Sequence, residues 1–232
     1  MQAELMMLAD SAFPSGAHGH SQGLEYAIQR GWVTDAYSLE AWGRDAIVFG
    51  IAICDGRALI QASQINPRST EGRAGLFALN AELSALRPGQ LQRQAMAQMG
   101  RSFLRSARDA WPQKLADFLP PDFLNNQVGP ASDFVQYPLA WALVCRALEI
   151  NIQTAWLAYL IAATRQMVQV ALRIMNFGQR EALSVQAKLT SLIQGLPFNL
   201  ERELGARLES AAFRLDMAGL GHGSLDRHYF RS

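Results

Sequence analysis

Charge is scarce in this chain: 18% of its 232 residues are Asp, Glu, Lys or Arg, and lysine occurs only at Lys114 and Lys188. The 21 basic residues against 20 acidic ones leave a formal net charge of +1, which gives no global reason to approach nucleic acid or an anionic membrane. Partners must therefore be chosen by local surfaces. Cysteine is rarer still. Cys54 and Cys145 have no C-x-x-C spacing, which argues against a disulfide scaffold or a zinc knuckle and suits a reducing cytosol, where both pack as small apolar residues. A G-x-x-x-x-G-K-[ST] loop is missing, so nucleoside triphosphate hydrolysis by the P-loop route is excluded. Neither a G-x-S-x-G elbow nor an H-E-x-x-H helix is present. No basic start or cleavage site accompanies the short apolar run before Asp10, so nothing directs export. The longest uncharged stretch, between Glu149 and Arg165, contains Asn151, Gln153 and Thr154 and falls short of the ~20 apolar residues of a spanning helix. These absences describe a cytoplasmic protein with no nucleic-acid or membrane partner.

What is present is apolar. Half of the residues are hydrophobic, enough for a domain or two of roughly 100–200 residues each to close a sizeable core. Their spacing is helical and shows no sustained strand alternation, which predicts an all-α fold. Asp35 to Ser38 supplies capping residues for a helix carrying Leu39, Trp42, Ala46, Phe49 and Ile53 as one core stripe. Another helix runs from about Glu71 to Leu86, where Arg87-Pro88-Gly89 forces a turn, and the next begins near Gln90. That helix sets Leu91, Ala95, Met99, Phe103 and Ala107 on one face, with Gln94, Gln98, Arg101, Arg105 and Arg108 on another. The arginine stripe fits either an acidic partner or the wet face of an amphipathic helix.

Breakers are dense between Trp111-Pro112 and Gly129-Pro130, with Pro120-Pro121 and Asn125-Asn126, which predicts a long loop with one helical turn around Phe118. Beyond it come a helix bearing Phe134, Pro138, Leu139, Leu143 and Leu148, a buried helix from Gln153 to Ile174, and one after Gly178. The last helix is expected to be capped by Asn199 and to continue through Leu204, Leu208 and Phe213, the pattern stopping after Asp216. Neither half is polar enough to stand alone, so residues 1–232 read as one bundle of roughly ten helices. Within it, 1–25 form an N-terminal helix and loop, 111–132 an internal loop, and 217–232 a flexible C-terminal tail.

All four histidines fall near the ends. His18 and His20 sit in a segment whose Pro14, Gly16, Gly19 and expected helix cap Ser21 impose a defined non-helical path. His18-x-His20 offers either two imidazoles to a metal or two loop histidines that simply form hydrogen bonds; no nearby ligand completes a set of three or four. In the tail, Gly219, Gly221 and Gly223 argue against a stable helix, each costing about 1 kcal/mol relative to alanine. Tyr229-Phe230-Arg231 are of the types that dominate interface hot spots, so the tail reads as a frayed end or as a segment that orders on a partner.

Taken together, the two ends resemble the UreF family, urease accessory proteins that help load nickel into urease. The resemblance rests on Asp10-Ser11-Ala12-Phe13-Pro14-Ser15-Gly16, then His20-Ser21-x-Gly23-Leu24-Glu25, with Gly31-Trp32-Val33-Thr34-Asp35 following. At the other end it rests on Leu215-Asp216-x-Ala218, His222 and Phe230-Arg231-Ser232; Asn80-Ala81-Glu82-Leu83, Arg93 and Met99-Gly100-Arg101 add a central match. Gly223 stands where the family usually has Glu and His228 where it usually has Arg, and Ala17-His18-Gly19 departs from the usual loop. The resemblance implies an all-helical, homodimeric, non-enzymatic adaptor without a cofactor of its own. It would bind UreD (also called UreH), recruit the GTPase UreG and so deliver nickel to apo-urease. It further implies partner contacts at His222, Phe230 and Arg231, to which the hot-spot residue Tyr229 and the stripe residue Arg101 are added. Pro14, Gly16, His20, Ser21, Gly23, Leu24 and Glu25 would shape the N-terminal surface. Two rival readings are an adaptor for another client and a metal-dependent enzyme using His18, His20, His222 and His228.

Overall fold

The computed structural model of the chain describes residues 3–124, 135–199, 202 and 206–231. These are helical almost throughout, in an all-α arrangement whose buried apolar residues form one cluster running from Leu5 to Phe230. The helices are α1 (Ala3–Ala9), α2 (Leu24–Gln29), α3 (Ala36–Ala46), α4 (Arg57–Gln64), α5 (Thr70–Ala85), α6 (Gln90–Ala110), α7 (Pro112–Phe118), α8 (Pro121–Leu124), α9 (Tyr137–Ala147), α10 (Ile152–Ile174), α11 (Gln179–Gln194) and α12 (Phe213–Gly221). Short 3₁₀ turns cover Ala17–Gly19 and His222–Ser224.

Local chemistry sets most starts and stops. Asp35 and Ser38 form a reciprocal capping box, Ser38 N donating to Asp35 Oδ1 at 2.8 Å and Asp35 N to Ser38 Oγ at 3.0 Å. Ser69 and Asn151 cap α5 and α10 in the simpler way, accepting from Gly72 N and Thr154 N. Helix α10 is the axis of the bundle: α1, α2, α3, α4, α9 and α11 all pack against it. On its α9 side, Trp141 and Phe103 are completely buried and stack at 5.1 Å, and Tyr137, Tyr159 and Phe13 extend the aromatic cluster to the N-terminal loop.

The expected stripe on the third helix is redirected halfway along. Leu39, Trp42 and Ala46 are buried, but Phe49 is 47% exposed and Ile53 only half-buried. Between Ile47 and Gly56 the chain winds as a π-helix, with more residues per turn, so the apolar face passes to Ile47, Ile51 and Cys54 instead. Helix α3, the π segment and α4 make one rod over Ala36–Gln64 that is long and apolar enough to cross a membrane by length and composition, yet 72% of its most apolar window is buried within the bundle.

Three further expectations need correction. The internal loop of 111–132 is helical where it is described: Pro112 and Pro121 open α7 and α8, because proline is tolerated in a helix's first turn, where its missing N–H leaves no bond unmade. Leu115 and Leu119 anchor that segment in the core. Asn199 Oδ1 accepts from Arg202 N at 2.9 Å, but no helix runs on through Leu208 to Phe213. The chain is non-helical from 207 to 212, with Ala211 N bonded to Phe49 O at 2.7 Å, and α12 starts at Phe213. The expectations for Asn125-Asn126, Gly129-Pro130, Phe134, Leu204 and Ser232 lie outside the described residues.

The third correction concerns the tail. The helical pattern continues past Asp216 to Gly221, and the tail lies folded against the bundle rather than free of it. Two of its glycines are pressed by neighbours: a Cβ on Gly219 would sit 1.8 Å from the Gln92 side chain, and one on Gly221 2.3 Å from the Tyr26 ring, whereas Gly223 makes only an ordinary contact with Leu91. The roughly 1 kcal/mol helix penalty of a glycine accompanies a close approach at Gly221 that a methyl would block, and at Gly219 the Gln92 side chain would have to move.

Candidate functional site

The two signature ends meet. The N-terminal loop crosses α6, where Ser106 Oγ donates to Pro14 O at 2.9 Å, and then turns at Gly16, whose φ of 76° is left-handed. It is held against α10 by Gln166 Nε2, which donates to the carbonyls of both Ala17 and His20 at 2.8 Å. Gln22 and Gly23 are both left-handed, at φ 52° and 88°, and Gly23 rather than Ser21 is the N-cap of α2. A Cβ on Gly23 would lie 2.9 Å from Gly219 N, so this glycine is required by conformation and by the contact with α12. Ser21 is instead buried beneath the turn, its carbonyl accepting from Leu24 N.

Helix α2 delivers Glu25 into the joint with no solvent exposure. Its carboxylate accepts from Tyr229 N at 2.7 Å and Phe230 N at 3.1 Å, and from Gln29 Nε2 at 3.2 Å. Two backbone donors thus face a buried charge in the geometry that gives strong charge-assisted bonds. Arg231 N donates to Gly19 O at 2.8 Å, Gln29 Nε2 to Arg227 O at 3.1 Å, and the Arg173 guanidinium lies over the Phe230 ring. The tail is thus bonded at Arg227, Tyr229 and Phe230 to α2 and at Arg231 to the loop before it.

Histidines gather at the same joint. His222 is 1% exposed, with Nε2 4.0 Å from Glu25 Oε2 and its ring 5.1 Å from that of the exposed His228. Burial pulls the His222 imidazole below its usual value, outweighing the Glu25 carboxylate, and His228 adds to the depression. His20 is buried close by, and burial, with Arg231 and His222 adding positive charge, lowers its pKa to about 4. His18 is exposed and its Nε2 bonds Ser11 O, which fits the hydrogen-bonding alternative for His18 rather than the metal pair.

The expected partner contacts divide by burial. Tyr229 is 72% exposed and Arg231 is exposed, but His222 and Phe230 are buried and hold the tail down, so neither side chain offers a contact face in this conformation. Arg101 is half-buried on α6, about 13 Å along the helix from Gln92, where α6 meets the tail. The outward surface of α12 carries what residue types in the tail did not reveal: Phe213, Met217 and Leu220 are 73%, 44% and 58% exposed, at steps of four and three. That spacing puts them on one face, an apolar stripe beside the exposed Phe49. The i, i+4, i+7 pattern was visible in the sequence, but counting glycines ended the helix too early to use it.

A second buried polar centre, also missed, lies in the π segment. Asp55 accepts from Arg87 at 2.5 Å and from Tyr159 Oη at 2.8 Å; Arg87 Nε donates to Gln136 Oε1 at 3.0 Å, and Gln136 N to Asn80 Oδ1 at 3.0 Å. Burial, reinforced by Asp55, raises the Tyr159 phenol well above its usual value, and burial with Asp55 pushes Cys54 up to about 12. Such a thiol is inert. The sequence signal was a single carboxylate closing an apolar run, Ile47 to Cys54.

A helical bundle whose ends lock together beneath an exposed apolar stripe, with the Arg87–Asp55 ion pair sealed inside, has the build of an interaction protein. Comparison with known proteins gives that class a family. The UreF family model matches residues 33–190, and the chain belongs to the UreF family. It is 34% identical to the urease accessory protein UreF of Azorhizobium caulinodans over 95% of this chain and 90% of that protein. It is also 34% identical to the UreF of Methylobacterium radiotolerans, over 98% and 95%, and 32% identical to that of Rhizobium leguminosarum bv. trifolii, over 100% and 97%. It is an accessory protein, not an enzyme.

Proposed function

We propose that this chain works in urease maturation as an adaptor in the cytoplasm: it binds UreD (UreH), recruits the GTPase UreG, and so allows nickel to reach apo-urease. Family membership supports the urease assignment. The observation that carries the adaptor reading is the stripe Phe213, Met217 and Leu220, held outward by a helix that both signatures clamp. An exposed apolar helix face of this spacing suits a protein groove or a second helix. UreD is the partner assigned to it, and a second copy of this chain is assigned to another face of the bundle. Ordering UreD and UreG on one rigid platform raises their effective concentration at apo-urease, which is how a non-catalytic protein can couple GTP hydrolysis to metal delivery.

The test is co-purification of the full chain with its UreD and then UreG, followed by light scattering, beside Met217→Asp. Capture of UreD by the parent chain and its loss in the variant, with helicity unchanged, is the expected result. Failure of the parent chain to capture UreD overturns the client; capture by both proteins overturns the stripe as its seat.

A further inference from the structure

His222 poses a physical problem. It is 1% exposed, yet neither Nδ1 nor Nε2 finds a hydrogen-bond partner. A buried imidazole left in this way costs about 1–3 kcal/mol, and nearly all buried polar groups avoid it. The Glu25 carboxylate faces the ring, but its Oε2 stands 4.0 Å from Nε2, too far for a hydrogen bond. One ligand atom from each of Glu25, His222 and His228 falls within 4.8 Å of the others. Ligands of one metal ion held at about 2.0–2.2 Å stand roughly 3–3.5 Å apart. Closing the cluster to that size asks for a turn of the exposed His228 and for the 4.0 Å between Glu25 Oε2 and His222 Nε2 to shorten.

We propose that Glu25, His222 and His228 bind a divalent first-row transition ion at the joint between the two ends of the chain. Two neutral imidazoles and one carboxylate are the donor set that zinc, nickel and cobalt favour over magnesium or calcium. Glu25 Oε2 accepts one backbone bond, from Phe230 N, and so retains a lone pair for the ion. The same carboxylate accepts from the Tyr229 and Phe230 amides, an outer shell that fixes its orientation. Burial already holds His222 toward the neutral form that a ligand needs. The exposed His228 sets the ion at the protein surface, with coordination positions left for water or an incoming ligand. This is a site for holding and passing on an ion rather than a closed structural cage. The inference goes beyond the adaptor reading and does not depend on it.

The experiment uses the isolated full chain without partners. Zn²⁺, Ni²⁺ and Mg²⁺ are each titrated calorimetrically into the parent, His228→Ala, Glu25→Gln and His18→Ala proteins, with circular dichroism to check the fold. Zinc-edge X-ray absorption then counts imidazoles. The expected result is one Zn²⁺ or Ni²⁺ per parent chain with two imidazoles in the shell, affinity at least about tenfold weaker in His228→Ala, and no change in His18→Ala. His228 is exposed, so that variant keeps its fold even if Glu25→Gln loosens the tail. Absence of stoichiometric binding to the parent, binding that survives His228→Ala undiminished, or equal uptake of Mg²⁺ would each overturn the site. None of these outcomes bears on UreD capture, so failure here is distinct from failure of the adaptor.

Discussion

Among the described residues two carboxylates are buried, and they are buried differently. Asp55 is met by an arginine and a phenol, within a network that runs on through Arg87 to Gln136 and Asn80. Glu25 is met by two backbone amides and a glutamine, beside an imidazole that bonds nothing. The first centre is electrically complete and ties the π segment, the turn before α6, α9 and α10 into one body. The second is incomplete, and its incompleteness lies where the two ends meet, close to the surface. A fully compensated buried charge reads as architecture; an uncompensated one reads as a place where something else arrives.

That contrast can be broken most forcefully at Asp55. Replacing it with alanine strands the Arg87 guanidinium, and we expect a loss of about 3–5 kcal/mol in urea unfolding, spread over the whole cooperative transition. Gly23→Ala comes next. Its methyl would need a left-handed backbone and would meet Gly219 N at 2.9 Å, so a loss of about 3 kcal/mol and separation of α2 from α12 should appear in hydrogen exchange. Glu25→Gln should cost about 2 kcal/mol, but locally: amides of Tyr229 and Phe230 should exchange faster while those of α10 stay protected. An equal loss of protection in α10 would mean that the joint is as much a part of the core as Asp55 is.

The pH response sharpens the same comparison. The pKa of His20 lies at about 4 in the fold and at the ordinary 6.5 in the unfolded chain, so the fold favours the neutral ring. Stability from this group is fully present above pH 6.5 and is lost as pH falls from there through 4. Burial drives the effect, and Arg231 and His222 add to it. After discounting for solvent screening we expect about 1–2 kcal/mol, read as the difference in thermal melts between the parent and His20→Asn at pH 7 and pH 4.5. Smallest in stability is Met217→Asp, within about 0.5 kcal/mol because the side chain is already 44% exposed, although it should abolish UreD capture.

Periodicity made most helices legible. The apolar face of α6 from Ala95 to Ala107, the course of α10 and the capping box of Asp35 and Ser38 are local properties and stand where the spacing predicts, whereas Leu91, expected on the α6 face, is 37% exposed. The joint was half legible. Gly16, Gly23 and Glu25 stood out as a signature, but its physical meaning needed the tail to be brought against it. The partner contacts that the resemblance implied at His222 and Phe230 fall on buried side chains, because an aromatic residue near a terminus looks the same whether it faces a partner or its own core. Pairing of Asp55 with Arg87 and Tyr159 could not be read at all, the three being joined only by the fold.

Sequence alone determined the all-α class, the helix starts set by Asp35, Ser69 and Asn151, and the family, since each rests on spacing along the chain. Only the tertiary structure decided the turn of the α3 stripe through a π-helix, the glycine helix at α12, and the meeting of Glu25 with His222 and His228. The reason is common to all three. Winding, close approach and charge compensation are decided by what lies opposite in space, and a residue carries no local mark of its neighbour across the core.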